Sequence, residues 1–446
     1  MNAIKRAFAE IKKYPSAMAG IALISLLVVL AVYALISIPY TEAITLWRGA
    51  DNIWIENPRN ARPVWVNYFS RAKMPETMIF RSKDNPEVRT ILEDVEGFRA
   101  DQIVFEFDYQ YDGFPTEISL FMTSTFEDIG PSVTITWVKP DGTTRELTSM
   151  GVVKETNYRI SQDERLTRQL GGLLPERGLF ADPENNQVPL KGTYKMIIEG
   201  LVFEEDSDYD ANLIVYGQLH GMAGTDHRRR DISVALLWGT PVALAFGLLA
   251  AVGSTVTTMI IAAASVWYGG WIDSLIRRIT EVVMILPLLP ILIMISLFYS
   301  QSIWVILGVI ILLGIFGSGI LTYRSMFLQI KESGYIDAAR AYGASSFRII
   351  IRYMIPKIFP VLVPQFVTLV PSYVFLEASL AVLGLSDPLL PTWGKLLNDA
   401  YANGALYKGY FYWVLEPAAL LMITGLGFAM LGFALDRIFN PRLRGL

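Results

Sequence analysis

Residues 232–272 read ISVALLWGTPVALAFGLLAAVGSTVTTMIIAAASVWYGGWI, 41 consecutive positions without a charge. A helix crossing the ~30 Å hydrocarbon core of a bilayer uses about 20 apolar residues, so this stretch alone puts the chain in a membrane. It has room for two short helices. Gly239-Thr240-Pro241 near its start reads instead as an interfacial lead-in, followed by one long span that ends near Tyr268-Gly269-Gly270. Other charge-free runs cover Ser16–Ile38, Val282–Tyr323, Ile358–Leu376 and Pro417–Leu435. The second of these divides at Tyr299-Ser300-Gln301-Ser302 into two spans joined by a tight hairpin. The count is six spans, an even number, with both termini on one side.

Composition agrees with this reading. The 446 residues are 52% hydrophobic, and the apolar positions are clustered rather than dispersed as in a soluble domain. Lys5, Arg6, Lys12 and Lys13 precede the first span, Arg277 and Arg278 precede the third, and Arg437, Arg442 and Arg444 follow the last. Arg324, Lys331, Arg340, Arg348, Arg352 and Lys357 lie in one interspan segment. Six spans put all four groups on one face, which the positive-inside rule makes cytoplasmic. Arg228, Arg229 and Arg230 fall on the other face, behind a long translocated segment where the rule is weak. The first apolar run is longer than a signal peptide's and has no small-x-small site after it, which predicts an uncleaved anchor.

Cysteine is absent, which excludes disulfides, thiolate metal ligands and a cysteine nucleophile. His220 and His227, the two histidines, fall in a polar linker and are expected to be solvated, so no metal site is predicted. The net charge of −4 says little, because charge is distributed by compartment rather than by fold, and no nucleic-acid partner is expected.

Between the first two spans, over residues 40–222, the texture changes. Ile103, Phe105, Phe107, Tyr109 and Tyr111 alternate with mainly polar residues, as a half-buried strand requires. Val133–Val138 and Thr143–Leu147 flank Pro140-Asp141-Gly142 and predict a hairpin. Glu117–Thr123, Tyr194–Phe203 and Leu213–Leu219 are further strand candidates. The segment suits one β-sandwich or jelly-roll domain inserted into a helical membrane protein. Trp47, Trp54 and Trp65 fit either a ligand platform or the core.

Residues 337–356 read DAARAYGASSFRIIIRYMIP, a charged and helix-prone block between two apolar spans. Ala338 and Ala339 favour helix and leave a flat face for close packing. Gly343 permits a left-handed turn that ends one helix and starts another. Phe347, Ile350, Ile351 and Met354 then recur at helical spacing opposite Arg348 and Arg352, and Pro356 is expected to stop that amphipathic helix before the next span.

This block resembles the EAA loop of ABC importer permeases, whose pattern is Glu-Ala-Ala, three residues, Gly, nine residues and Ile-x-Leu-Pro. The corresponding positions are Asp337, Ala338, Ala339, Gly343, Tyr353, Ile355 and Pro356, with Asp for Glu, Tyr for Ile and Ile for Leu. From about Leu219 onward the chain is similar to the second permease subunit of dipeptide and oligopeptide importers, in the peptide, opine and nickel uptake group. Gly224–Asp231 resembles that group's GTDxxGRD segment, with Arg229 where Gly is usual. Tyr268–Asp273, Glu377-Ala378-Ser379-Leu380, Leu383-Gly384-Leu385, Pro391-Thr392-Trp393-Gly394 and Asn440–Arg444 follow in the same order. The long β insertion departs from the pattern.

The resemblance implies a type I importer core of about six transmembrane helices, with five of them in residues 223–446 and a coupling loop over 324–357. It implies a homologous second permease, two ATPase subunits that bind ATP and Mg, and an extracytoplasmic binding protein. In keeping with that division of labour, the sequence has no G-x-x-x-x-G-K-[ST] phosphate loop. The expected place is the plasma membrane, multi-pass, with both termini cytoplasmic and residues 40–222 outside. Glu377, behind 19 uncharged residues, and Ser379 beside it are candidates for the translocation pathway, and Glu377 serves equally well as an internal structural hydrogen bond. Peptides are the substrate class implied, with oligosaccharides and metal chelates also carried in the group. The rival readings are a membrane-anchored receptor or scaffold, which leaves the 337–356 block unexplained, and a membrane hydrolase, for which no constellation of catalytic residues is present.

Overall fold

The computed structural model describes residues 12–49, 53–95, 98–385 and 387–439. Lys5, Arg6, Asn440, Pro441, Arg442 and Arg444 lie outside the described residues. The chain divides into two compact units, one formed by residues 1–48 with 234–446 and the other by Gly49–Ser233.

The first unit is helical. Helix α1 (Pro15–Ser37) and α2 (Tyr40–Arg48) precede the β-rich segment. After it come α3 (Ile232–Tyr268), α4 (Gly270–Ile285), α5 (Leu288–Phe298), α6 (Ile303–Ile315), α7 (Gly319–Lys331), α8 (Gly334–Ala341), α9 (Ile355–Val382), α10 (Trp393–Ala402) and α11 (Tyr412–Phe439). Four helical stretches, Pro15–Ser37, Ile232–Tyr268, Ser346–Val382 and Tyr412–Ile438, are long and apolar enough to cross a membrane. The pairs α4–α5, bent by 80°, and α6–α7, bent by 44°, raise the number to six if each is one broken span.

Small residues set the packing. Along α1 the buried positions are Ala17, Gly20, Leu27, Ala31 and Ala34, one stripe at helical spacing. A side chain at Gly20 would stand 2.8 Å from the Gly427 carbonyl oxygen, so α1 and α11 meet nearly backbone to backbone. Helix α3 runs unbroken through Gly239, Thr240 and Pro241, which corrects the interfacial lead-in expected there. The Leu236 carbonyl, one residue before the Leu237 carbonyl that Pro241 leaves without its helical donor, accepts from Thr240 Oγ1 at 3.0 Å and from Trp393 Nε1 at 2.9 Å. Pro287 marks the 80° bend, since α4 stops at Ile285 and α5 starts at Leu288.

The second unit contains two antiparallel sheets around one core. Strands β1 (Met78–Arg81), β4 (Glu117–Thr125), β7 (Glu155–Tyr158) and β9 (Asp208–Tyr216) form one sheet in the order β1-β9-β4-β7. Strands β2 (Arg89–Val95), β3 (Phe98–Tyr109), β5 (Ser132–Val138), β6 (Thr144–Gly151) and β8 (Gly192–Val202) form the other, ordered β2-β3-β8-β5-β6. The longest register pairs Arg99 with Val202 through to Tyr109 with Gly192. Inward positions of both sheets join one hydrophobic cluster that includes Phe105, Phe107, Tyr194 and Trp137 from one sheet and Leu120 and Leu213 from the other. The expected strands are present, and β1, β2 and β7 are additional.

Trp47 is buried on α2 in the helical unit. In the β unit, Trp65 is partly exposed and donates to the Met222 carbonyl, and Trp54 lines a cleft. His220 is half-buried rather than solvated, because the chain between β9 and α3 folds back on the segment around Arg62.

Candidate functional site

The block 337–356 forms an elbow. Helix α8 carries Asp337, Ala338 and Ala339 and ends with the Gly343 amide donating to the Arg340 carbonyl at 2.9 Å. Gly343 has φ +76°, a left-handed conformation that glycine adopts without steric cost, and an added Cβ would meet nothing within 4 Å. Ser345 then caps the next helical stretch by accepting from the Arg348 amide at 3.4 Å.

Beyond Arg348 the sequence reading needs correcting. Ile349–Met354 is a π-helical stretch that runs directly into α9, so Ser346–Val382 is one continuous helical element. Pro356 follows the π-helical stretch and does not stop the helix, because the wider π turn accommodates its ring. The changed period also rotates the apolar face. Ile349, Ile350 and Met354 are buried, whereas Phe347 is 74% exposed and Ile351 is also exposed.

The inner face of the elbow is part of a core. Ile336, Ala339, Ile349, Ile350 and Met354 pack in one cluster with Met259, Ala262, Ala263 and Val266 of α3 and with Tyr323 and Phe327 of α7. Three polar devices hold it there. Lys331 Nζ donates to the Val266 carbonyl at 2.6 Å and to the Trp267 carbonyl at 3.3 Å, satisfying the C-terminal end of α3 where a cation is favoured. The Arg340 guanidinium lies 4.4 Å from the Trp267 ring centre. Asp273, in the first turn of α4, accepts from Ser265 Oγ and is gripped by Arg324 of α7.

The outer face is open. Asp337, Ala338, Gly343 and Pro356 are exposed, Tyr353 and Ile355 are half-buried, and Ala339 is turned inward. The expected flat face therefore consists of Ala338 alone, and Ala339 belongs to the core. Beside Gly343 stand Tyr342, 92% exposed, and Phe347, two large aromatic side chains that the sequence reading did not place on this surface. Large exposed aromatic side chains on a surface elbow are the kind of patch that marks a protein contact.

Glu377 and Ser379 lie on opposite sides of α9. Glu377 is 8% exposed and its carboxylate meets the Thr392 hydroxyl. That hydroxyl also accepts from the Lys395 amide at 3.1 Å, capping α10. Ser379 is exposed and donates to the Phe375 carbonyl at 2.7 Å. The recurrent Pro391–Gly394 segment is structural in the same place, since a Cβ at Gly394 would come 2.5 Å from that of Ala381.

Comparison with known proteins places residues 254–445 under the family description "Binding-protein-dependent transport system inner membrane component". The dipeptide transport system permease protein DppC of Bacillus subtilis is 29% identical over 222 residues, 50% of this chain and 68% of the relative. The glutathione transport system permease protein GsiD of Escherichia coli is 31% identical over 242 residues, 53% of this chain and 77% of the relative. The matched half contains the elbow, α9 and α11.

Proposed function

This chain belongs to the permease subunits of ABC importers of the dipeptide and oligopeptide group, multi-pass membrane proteins that are not themselves catalytic, and on that footing we propose that it translocates peptides or similar small oligomers by alternating access. The work comes from ATP and Mg bound on two partner ATPase subunits. A homologous second permease completes the pathway and an extracytoplasmic binding protein delivers the substrate. Six spans place both termini and the elbow in the cytoplasm, and the β unit, a sandwich of its two sheets, outside the plasma membrane.

The observation that carries this reading is the elbow at Gly343, with its inner face fixed to α3 and α7 and its outer face exposing Tyr342 and Phe347. Asp337, Ala338, Gly343 and Pro356 meet the ATPase directly, while Ala339, Tyr353 and Ile355 stiffen the lever. Moving a two-state population from 1:99 to 99:1 takes about 5.5 kcal/mol of differential stabilisation. A docked helix supplies that; an exposed salt bridge, at about 0–1 kcal/mol, does not. Ser379 lines the path, and Glu377 supports it from the buried side of the same helix.

Affinity purification of the tagged full chain from native membranes tests the assembly. Two ATPase chains and a second permease are expected to come with it, and their absence under mild detergent overturns the assignment. The β unit is proposed to dock the binding protein. Binding-protein-stimulated ATP hydrolysis that survives its removal refutes that docking role and leaves the permease role standing.

A further inference from the structure

The β unit holds a cleft of about 180 Å³ that neither the elbow nor the transport pathway uses. Roughly six waters would fill it at about 30 Å³ each, so it suits a small ligand or one end of a larger one. Four arginines line it: Arg59, Arg159, Arg228 and Arg229. They come from three separate segments, the loop before β1, the turn after β7 and the linker after β9, so the fold has gathered them.

Their partners divide them. Arg229 is committed to structure: Nη2 donates to Glu117 Oε2 at 2.6 Å, Nη1 donates to the Asn57 carbonyl at 2.6 Å, and the guanidinium covers Tyr216 at 4.4 Å. Its backbone is left-handed at φ +67°, a conformation uncommon for a residue with a Cβ, at the position where the resembling segment has glycine. Strain at a non-glycine residue persists only where its surroundings fix it, and here the side chain forms the wall of the cleft. Arg59, Arg159 and Arg228 are exposed and make no ion pair among the described residues. The Arg228 amide is fixed by Asp226 Oδ1 at 2.8 Å, which leaves its side chain free of the turn. Among the described residues, one carboxylate, Glu117, lines the cleft with these four guanidinium groups, and it is already neutralised.

We infer that this cleft binds a small organic oxyanion, a carboxylate or a phosphate ester, between the unpaired guanidinium groups of Arg59, Arg159 and Arg228. Planar arginine forks match both groups through paired N–H donors, and the half-buried aromatic rings of Trp54 and Phe121 along the cleft favour an organic ligand over a bare ion. The site stands whether or not the β unit docks a binding protein.

Calorimetric titration of the detergent-solubilised full chain tests it, with inorganic phosphate, trialanine and trialanine amide as probes. Saturable binding of phosphate or of trialanine is expected, with the amide at least tenfold weaker than the free acid. Phosphate without trialanine assigns a phosphate ester, and trialanine without phosphate assigns a carboxylate. Arg159→Gln and Arg228→Gln, both at exposed positions, are each expected to weaken binding about tenfold while the unfolding temperature stays unchanged. The inference is overturned if neither probe binds, if acid and amide bind equally while phosphate does not, or if both variants bind like the parent chain.

Discussion

Arg324 closes on Asp273 through two parallel hydrogen bonds, Nε to Oδ1 and Nη2 to Oδ2, each 2.7 Å. The carboxylate is mostly buried, also accepts from Ser265 Oγ at 2.5 Å, and ties the start of α4 and the end of α3 to α7, which leads into the elbow. Arg324→Ala leaves Asp273 with Ser265 and with Arg277 at 3.4 Å. Removing one partner of a buried pair costs about 3 kcal/mol, so the unfolding temperature in detergent is expected to drop by several degrees. Arg324→Lys recovers only part of this, because an ammonium cannot reproduce the fork. An unchanged melting curve for Arg324→Ala removes the pair from any account of how the lever is anchored.

Gly343 separates folding from coupling. The space a Cβ would fill is open, so the main cost of Gly343→Val is the left-handed backbone, at least about 1–2 kcal/mol and more for a β-branched residue. Membrane insertion and yield are expected to stay near those of the parent. Uptake is expected to fall at least tenfold while the partner ATPases still hydrolyse ATP in solution. Parental uptake rates in this variant would mean that the elbow transmits nothing.

The membrane character and the position of the elbow were legible in the sequence because each rests on a strong local signal: charge-free runs beyond 18 residues, and a glycine at fixed distance from an Ala-Ala pair. The strongest strands were legible for the same reason, since β3 and β5 keep strict alternation. Strand β2 was not, because a bulge between Ile91 and Glu93 breaks the period of two and leaves both Ile91 and Leu92 exposed. Its anchor is long-range: Arg89 Nε donates to the buried Asp101 at 2.9 Å, an acidic residue that Tyr209 also reaches at 2.6 Å. Strands β1 and β7, four residues each, are too short to show periodicity. The outward turn of Phe347 was hidden because a π turn changes the helical count, and nothing in the residue types of Ile349–Met354 announces it. The gathering of Arg59, Arg159 and Arg228 at one cleft depends wholly on topology.

Acid weakens the β unit in two steps. Burial holds the imidazole of His220 below its ordinary value, although Asp231 pulls the other way. The unfolded chain therefore takes up a proton near pH 6.5 that the folded chain resists, and stability is lost as pH falls from about 6.5. Glu204 acts in the same sense at lower pH: the amides of Glu127, Ile129 and Asp128 hold its carboxyl below the usual range. Its contribution is present above about pH 4.3 and is lost as pH falls further. Denaturation midpoints followed from about pH 7.5 down to about pH 3 are expected to decline in both steps, and His220→Gln is expected to flatten the first without touching the second. A decline of the same size in the variant assigns the first step to another group.

Trp393 occupies the space that a side chain at Gly239 would need, its Cδ1 only 2.3 Å from a Cβ placed there. The ring cannot retreat easily: it is 1% exposed, it follows the capping Thr392, and its Nε1 donates to the Leu236 carbonyl at 2.9 Å. Gly239→Ala is therefore an overpacking change, expected to cost about 1–3 kcal/mol by thermal unfolding in detergent. Trp393→Phe loses the bond to Leu236 and some volume, about 1 kcal/mol for the hydrogen bond alone. In the double variant the smaller ring leaves room for the methyl group, so the combined loss is expected to be smaller than the sum of the two by at least 0.5 kcal/mol. Additive losses would show that α3 and α10 adjust independently and that the ring does not set their spacing.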